Sequence, residues 1–187
     1  MNTKDFESEL IRYTTLNSNF DNTRNYISLS NVSKPVEDIL YDYYHGYNAD
    51  TTAMLKCYKG YQMERDLKER IEKVCTIMQI PFSGKVELSL GAEYIKGHPD
   101  LLINNIPADC KSVLKDEWLP ETSRNISYKI KFQLNAYMMA AKCDYAYAIY
   151  ESRESGLLKA LEYHADRLIQ NQITEKIKQI IKAVNQH

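Results

Sequence analysis

The chain has 187 residues, enough for one domain with its own core, and a formal net charge of −1. Such a balanced charge excludes nucleic-acid binding through bulk positive charge, so any affinity of that kind has to come from local patches. No apolar run approaches the ~20 residues of a membrane span, and the polar first residues lack the apolar region of a signal peptide.

The N-terminal part, residues 1–34, is predicted to be an arm in front of the main domain. A short helix is predicted over residues 5–13, and the Asn- and Ser-rich stretch over residues 17–31 favours an irregular loop. Ser33 is the predicted N-cap of the next helix, which ends near Gly46.

A longer helix is predicted from about Thr51 to Met78. Its apolar stripe consists of Leu67, Ile71, Val74, Cys75 and Met78. Heptad spacing carries this stripe back to Glu64, so that carboxylate faces inward and needs a metal, a cation or a water-filled cleft. The alternative is that Glu64 lies at the margin of the stripe and reaches solvent.

A β-hairpin over residues 97–111 is the most informative segment. Residues 81–84 break the long helix, and strands over residues 85–90 and 92–96 lead into the hairpin. Asn104 and Asn105 tolerate the positive φ of a tight two-residue turn. Pairing outward from this turn sets Ile103 against Ile106, Leu102 against Pro107, Leu101 against Ala108, and Asp100 against Asp109.

The same register places Asp100, Asp109 and Lys111 on one face of the hairpin. Opposed carboxylates ~5 Å apart repel each other unless a cation separates them, and a lysine together with a divalent metal would do so. The alternative is a surface hairpin whose acids are simply solvated. Pro99 predicts a bulge or bend beside this group.

A polar loop over residues 112–125 precedes a helix from about Ile126 to Lys142. On that helix Gln133 and Tyr137 are neighbours at i, i+4 spacing, beside a stripe formed by Ile126, Ile130, Leu134, Met138 and Ala141. A second hairpin follows over residues 144–151 and 157–163. The last helix carries the stripe Leu168, Ile169, Ile173, Ile177, Ile180, Ile181 and Val184. This order predicts a mixed α/β domain with central strands and surrounding helices.

Four segments together resemble the PD-(D/E)XK nucleases, and within them the RecB-like branch that includes lambda-exonuclease-like viral enzymes. They are Gly60-x-x-x-Glu64, Gly97-His-Pro-Asp100, Asp109-Cys-Lys111 and Gln133-x-x-x-Tyr137. The resemblance covers roughly residues 55–140. It implies an α/β, restriction-endonuclease-like core with a mixed sheet of about five strands flanked by helices, in a single domain over residues 1–187. It also implies metal-dependent hydrolysis of DNA.

Carried over to this sequence, the resemblance implies a role for each motif residue. Asp100, Asp109 and Glu64 would bind Mg²⁺ or Mn²⁺ together with the backbone carbonyl of Cys110, which suits the preference of these ions for oxygen ligands. Lys111 would orient or help to deprotonate the attacking water and stabilise charge on the phosphate. Supporting contacts to the site and to the DNA backbone would come from Gln133 and Tyr137.

Some features depart from the family pattern. Iron–sulfur relatives carry one cysteine before the nuclease core and three after it, whereas only Cys143 follows the hairpin here, so no iron–sulfur cluster is expected. The scattered cysteines indicate reduced thiols in a cytoplasmic protein. Glu64 stands where many relatives carry histidine. His98 is a candidate DNA contact, with a structural histidine as the alternative.

A DNA-binding surface is predicted around the start of the Gln-Tyr helix. Candidate phosphate contacts are Arg124, Lys129 and Lys131, and Trp118 in the preceding loop is a candidate for stacking on a base. A solvated loop with one anchoring tryptophan is the alternative.

The resemblance therefore implies a Mg²⁺- or Mn²⁺-dependent DNA nuclease acting in recombination, repair or phage or mobile-element DNA processing. The expectation of an exonuclease rather than an endonuclease rests on the resemblance alone. Its partner is DNA, with a homo-oligomer or a recombination protein as further partners and no membrane. A structure- or sequence-specific endonuclease and a non-hydrolytic DNA-end-binding subunit of the same fold are the alternatives.

Overall fold

Four helices and two β-sheets make up the described part of the chain, in a computed structural model that covers residues 25–46, 51–84 and 86–186. For residues 51–59 the helical backbone alone is described. The helices are α1 (Val36–His45), α2 (Thr51–Ile77), α3 (Tyr128–Ala141) and α4 (Arg167–Val184). The strands are β1 (Ile27–Ser28), β2 (Phe82–Ser83), β3 (Leu88–Leu90), β4 (Ala92–Gly97), β5 (Leu101–Ile103), β6 (Ile106–Val113), β7 (Tyr145–Ser152) and β8 (Leu158–His164).

A mixed five-stranded sheet in the order β2-β5-β6-β7-β8 forms the centre, with β6 and β7 parallel and the other pairs antiparallel. Helix α3 packs on one face through Leu134 and Met138, and α2 covers the other face through Leu67. A second, three-stranded sheet has the order β1-β4-β3. The predicted α/β class, with about five strands flanked by helices, is confirmed. None of the helices within the described residues is long and apolar enough to cross a bilayer.

The predicted register of the hairpin is confirmed for three of its four pairs, and the predicted pairing of Asp100 with Asp109 is not formed. Leu101 pairs with Ala108, Leu102 with Pro107 and Ile103 with Ile106. Asn104 and Asn105 form the turn with φ values of 51° and 66°. The ladder stops before Asp100, which lies at a bend after Pro99, so the predicted irregularity at this proline is also found.

The N-terminal arm is more ordered than predicted. Residues 5–13 lie outside the described residues, but Ile27 and Leu29 are core residues with 4 % and 0 % exposure. Strand β1 pairs in parallel with β4, so the prediction of a loop over residues 17–31 is wrong for its last part. Helix α1 has Pro35 as its N-cap residue rather than the predicted Ser33, and Gly46 follows its end with a φ of 77°.

Three positions of the predicted apolar stripes are wrong. Val74 near the end of α2 and Met78 directly after it are 51 % and 63 % exposed, because the core cluster under α2 includes Leu67 and Ile71 but neither of these two side chains. Leu168 is 75 % exposed in the first turn of α4. Of the described residues 86–90 in the first predicted strand of the hairpin region, Leu88–Leu90 form a strand.

Gly97 allows β4 to pass closely under α3, and its replacement by alanine is expected to destabilise the fold. An added methyl group would lie 2.7 Å from Cε1 of Tyr137 and 2.9 Å from Cδ1 of Leu29, closer than packed carbon atoms approach. Overpacking of this kind costs ~1–3 kcal/mol. Urea unfolding of Gly97→Ala should show a lower midpoint at an unchanged slope, and an unchanged midpoint would contradict this packing.

Candidate active site

One open cavity of about 570 Å³ collects most of the residues predicted to act in catalysis or DNA binding. It lies where β6 passes between α2 and α3, beside the bend that follows β4. The predicted residues that line it are Glu64, His98, Asp100, Asp109, Lys111, Lys129, Gln133 and Tyr137.

Asp109 lies at the bottom of this cavity and is 2 % exposed. Its Oδ1 accepts a hydrogen bond of 3.0 Å from Nε2 of Gln133. Its Oδ2 lies 2.6 Å from Nζ of Lys111, but this oxygen accepts no hydrogen bond of good geometry. The ammonium of Lys111 therefore occupies this buried oxygen as a close contact of opposite charges, and a metal ion bound here would share the oxygen with it.

Gln133 and Tyr137 connect the two aspartates of the hairpin. The Nε2 group of Gln133 also donates to the Tyr137 hydroxyl at 3.0 Å, and that hydroxyl donates to the backbone carbonyl of His98 at 3.3 Å. Because His98 begins the bend that carries Asp100, this chain of hydrogen bonds holds both aspartates against α3. The predicted pairing of Gln133 with Tyr137 is found, and within the site Gln133 contacts Asp109.

Asp100 and Glu64 reach the same cavity from different elements. Oδ2 of Asp100 accepts a 2.7 Å hydrogen bond from the backbone N–H of Cys110. Oε1 of Glu64, on α2, accepts a longer one of 3.4 Å from the backbone N–H of Ser112. The side chains of β6 alternate between the two faces of the sheet. Asp109 and Lys111 therefore face the cavity, while Ala108 and Cys110 pack against α2.

Three carboxylates lie around the ammonium group of Lys111, while Lys129 also lines the cavity. Burial, followed by the charge of Asp109, raises the pKa of Asp100 to about 6, and burial also raises the pKa of Glu64. For Lys111, burial acts to lower the pKa, but the charges of Asp109, Glu64 and Asp100 outweigh it and the pKa rises. Lys111 is thus a persistent cation, and its Nζ also donates to the carbonyl of Cys110 at 3.2 Å.

The residues of the cavity suit a divalent metal in chemistry and charge. Within the described residues, no three carboxylate, histidine or cysteine side chains stand close enough together to hold an ion as they are placed. Nevertheless, Glu64, Asp100 and Asp109 carry three negative charges against the single positive charge of Lys111 when all are ionised. Such an excess of carboxylates favours a hard dication that keeps several of its own waters and shares Oδ2 of Asp109 with the ammonium.

Three predicted DNA contacts lie outside this cavity. Nζ of Lys131 donates to the backbone carbonyl of Arg124 at 2.8 Å. Trp118 is 53 % exposed at the end of a short 3₁₀ turn. The same turn is tied to the β7–β8 hairpin, since Ser155 donates to Asp116 at 2.6 Å.

Several cavity residues escaped the sequence analysis. Tyr26, Ser28 and Ser30 line one wall because β1 pairs with β4, and Tyr26 contacts the ring of His98 edge-on at 5.3 Å. Ser127 and Ile130 line another wall at the start of α3. The periodicity of α3 predicts Ile130 as part of its apolar stripe but not as a cavity residue, and the signal at Ser127 is that a serine directly before a helix is a common N-cap residue.

No protein-family model and no curated protein matches this chain. Solved structures do match, at low sequence identity. An alkaline exonuclease from Laribacter hongkongensis superposes with a TM-score of 0.63 at 11 % identity, covering 87 % of this chain and 89 % of that chain. The same exonuclease in complex with dAMP gives a TM-score of 0.61 at 10 % identity, with coverage of 87 % and 89 %. A phage-related exonuclease from Haemophilus somnus 129PT gives 0.57 at 15 % identity, covering 86 % of this chain and 94 % of that chain. The chain therefore shares its fold with solved exonucleases.

Asp100 is expected to destabilise the metal-free protein at neutral pH. Its folded pKa of about 6 lies above the ordinary value of 3.8, so the folded state gains stability as the pH falls through this window. Above it the buried charge costs on the order of 1–3 kcal/mol. In EDTA at pH 7.5, Asp100→Asn should melt at a higher temperature than wild type, with the difference shrinking towards pH 4. Asp144→Asn, at an exposed position, is the control; an Asp100→Asn gain that does not depend on pH would contradict this reasoning.

Proposed function

We propose that this protein is a divalent-metal-dependent deoxyribonuclease, and specifically an exonuclease that acts on DNA ends in recombination, repair or phage or mobile-element DNA processing. The observation that carries the proposal is the convergence of Glu64, Asp100, Asp109 and Lys111 in one open cavity. The preference for an exonuclease rests on the fold shared with solved exonucleases, one of them in complex with dAMP. A deoxynucleoside monophosphate is accordingly the proposed product.

Mg²⁺ or Mn²⁺ would be held by the carboxylates of Glu64, Asp100 and Asp109 and by the backbone carbonyl of Cys110. When bound, such an ion supplies an acidified water and neutralises charge that develops on the phosphate. The residues of the chain then have separate tasks: Gln133 fixes Asp109 through its hydrogen bond, and Tyr137 fixes the bend that carries Asp100.

Lys111 would act as a charged hydrogen-bond donor. Its raised pKa keeps the ammonium protonated among three carboxylates, so its proposed role is to orient the attacking water and to stabilise the phosphate oxygens. Of the remaining predicted residues, Lys129 and His98 line the cavity and are proposed to contact the DNA backbone close to the scissile bond. Lys131, Arg124 and Trp118 would contact DNA further away.

The proposed activity is tested with purified protein and three substrates. Linear duplex and single-stranded DNA are end-labelled, and the third substrate is covalently closed circular DNA. Each is incubated with Mg²⁺, Mn²⁺ or EDTA. The proposal expects loss of linear DNA with either metal, release of mononucleotides, and intact circles.

Each alternative has its own outcome in this assay. Cutting of the circle would establish an endonuclease. Binding of DNA ends in EDTA without hydrolysis in either metal would overturn the enzymatic proposal and favour a binding subunit. Sedimentation of the same preparations tests for a homo-oligomer. A recombination partner protein and a cytoplasmic location are further parts of the proposal.

A further inference from the structure

Arg153 lies behind the cavity, directly after the end of β7, and is not one of its lining residues. Its backbone N–H donates to the carbonyl of Val113 at 2.8 Å, which extends the contact between β6 and β7. Its guanidinium turns towards α2 and donates twice to the hydroxyl of Ser112, from Nη2 at 2.7 Å and from Nε at 3.2 Å. Within the described residues no carboxylate lies within ion-pair distance of Arg153, so its bonds are directed at a neutral hydroxyl.

Gly60 on α2 makes room for this guanidinium. A methyl group at this position would lie 3.0 Å from Nη2 of Arg153 and 3.8 Å from Oγ of Ser112. The glycine therefore lets the helix backbone approach the arginine closely. It stands one helical turn before Glu64, on the same side of α2.

Ser112 connects Arg153 to Glu64. Its hydroxyl accepts the two bonds from Arg153, while its backbone N–H donates to Oε1 of Glu64 at 3.4 Å. Ser112 also follows Lys111 on β6, so the strand that carries the catalytic lysine meets the helix that carries Glu64 at this residue.

We propose that Arg153 is a positioning residue, which clamps α2 onto β6 at Gly60 and Ser112 and thereby holds Glu64 towards Asp109 and Lys111. The consequence for metal binding rests on the proposed function, whereas the clamp itself is a property of the fold. A second tether supports this assignment, because Arg70 of α2 pairs with buried Glu151 at 2.5 Å, near the same end of β7. Glu64 lies between the two tethers along the helix.

The test compares Arg153→Gln and Arg153→Lys with Arg65→Gln as the matched control. Arg65 neighbours Glu64 on the same helix but points to solvent, with its side chain 51 % exposed and near Asp66 and Glu69. Without DNA, the Mn²⁺ concentration that gives half of the thermal stabilisation is expected to rise about 10-fold in Arg153→Gln, as for other residues that support metal ligands. Arg153→Lys should recover part of this loss, because lysine keeps the charge but not the fork of donors.

A double-mutant cycle asks whether Arg153 acts through Glu64. In a Glu64→Gln background, Arg153→Gln is expected to cause no further rise in the half-saturating Mn²⁺ concentration. An equal and independent effect in both backgrounds would overturn the proposal. Should Arg153→Gln fail to fold, Ser112→Ala removes only the hydroxyl that accepts both bonds and is expected to shift the concentration in the same direction.

Amide hydrogen exchange separates the clamp from the activity. Exchange over residues 60–70 is expected to be faster in Arg153→Gln than in Arg65→Gln, whether or not the protein cleaves DNA. Equal exchange in the two variants, or an unchanged Mn²⁺ response in an active enzyme, would overturn the clamp alone. Absence of metal-dependent hydrolysis in the wild-type protein would overturn the proposed function, while the exchange comparison would still decide on the clamp.

Discussion

Replacing Asp109 with asparagine is expected to lower the rate of DNA hydrolysis about 10³-fold or more. The substitution keeps the size of the side chain and an oxygen for the hydrogen bond from Gln133, which is 3.0 Å long with aspartate at this position. It removes the charge beside Lys111 and replaces the oxygen that contacts the ammonium with an NH₂ group. In the proposed function Asp109 is a central metal ligand, and loss of such a ligand removes several kcal/mol of transition-state stabilisation, with each 1.36 kcal/mol a factor of ten.

The measurement is the initial rate of nucleotide release from linear duplex in saturating Mg²⁺ and Mn²⁺, with thermal melting in increasing Mn²⁺ alongside. Asp109→Asn should lose the metal-dependent stabilisation together with activity. In EDTA its affinity for DNA should be unchanged or higher, because one negative charge has left the path of the phosphates. Asp144→Asn, an exposed acid before β7, controls for the change of net charge. A tenth or more of wild-type activity in Asp109→Asn would remove this residue from the metal site.

The hairpin could be read from the sequence because its determinants are local. Strand alternation and the Asn104-Asn105 turn specify which side chains share a face, and the structure reproduces the pairing down to Leu101 with Ala108. The same reasoning placed Asp109 and Lys111 together. Strand alternation does not predict the hydrogen bond from the Cys110 amide to Asp100, because that bond depends on the bend after Pro99.

Other parts of the site depend on contacts between distant segments. Ser28 and Ser30 enter the cavity only through the parallel pairing of β1 with β4, and no pattern within residues 25–31 signals that partner. Helix periodicity predicted that Gln133 and Tyr137 are neighbours, but their partners on the hairpin are set by how α3 docks on the sheet. Arg153 shows no periodic pattern at all, because it stands in a turn between strands.

The apolar stripe of a helix identifies its buried face, but not the residue at which the packing against neighbouring elements ends. The apolar periodicity of the long helix predicts burial as far as Val74 and Met78. The hydrophobic cluster on the sheet, however, contacts α2 through Leu67 and Ile71. The inward position of Glu64 was correctly read from the same stripe, since it lines the cavity. An amphipathic pattern is therefore most informative in the middle of a helix, where neighbouring elements are present on both sides.

Replacing Lys111 with methionine is expected to lower hydrolysis by about 10²- to 10⁴-fold while leaving metal binding intact, which separates it from Asp109→Asn. Methionine has nearly the same length but removes the ammonium that lies 2.6 Å from Oδ2 of Asp109. Without this cation the three carboxylates repel each other more strongly, so the variant should melt at a lower temperature than wild type in EDTA. Mn²⁺ should bind at least as tightly as in wild type, since no ammonium competes for Asp109, and should restore the lost stability.

The matched control for this variant is Lys115→Met, four residues further along the chain, where the lysine side chain is 57 % exposed and pairs with exposed Glu117. It is expected to keep wild-type rates and melting behaviour, because surface ion pairs contribute little to stability. A Lys111→Met protein that binds Mn²⁺ normally but hydrolyses DNA at the wild-type rate would show that the ammonium only balances charge in the folded protein. Loss of hydrolysis with retained Mn²⁺ binding would instead assign Lys111 to the reaction itself. If the lysine served only to assemble the metal site, its removal would lower the affinity for Mn²⁺.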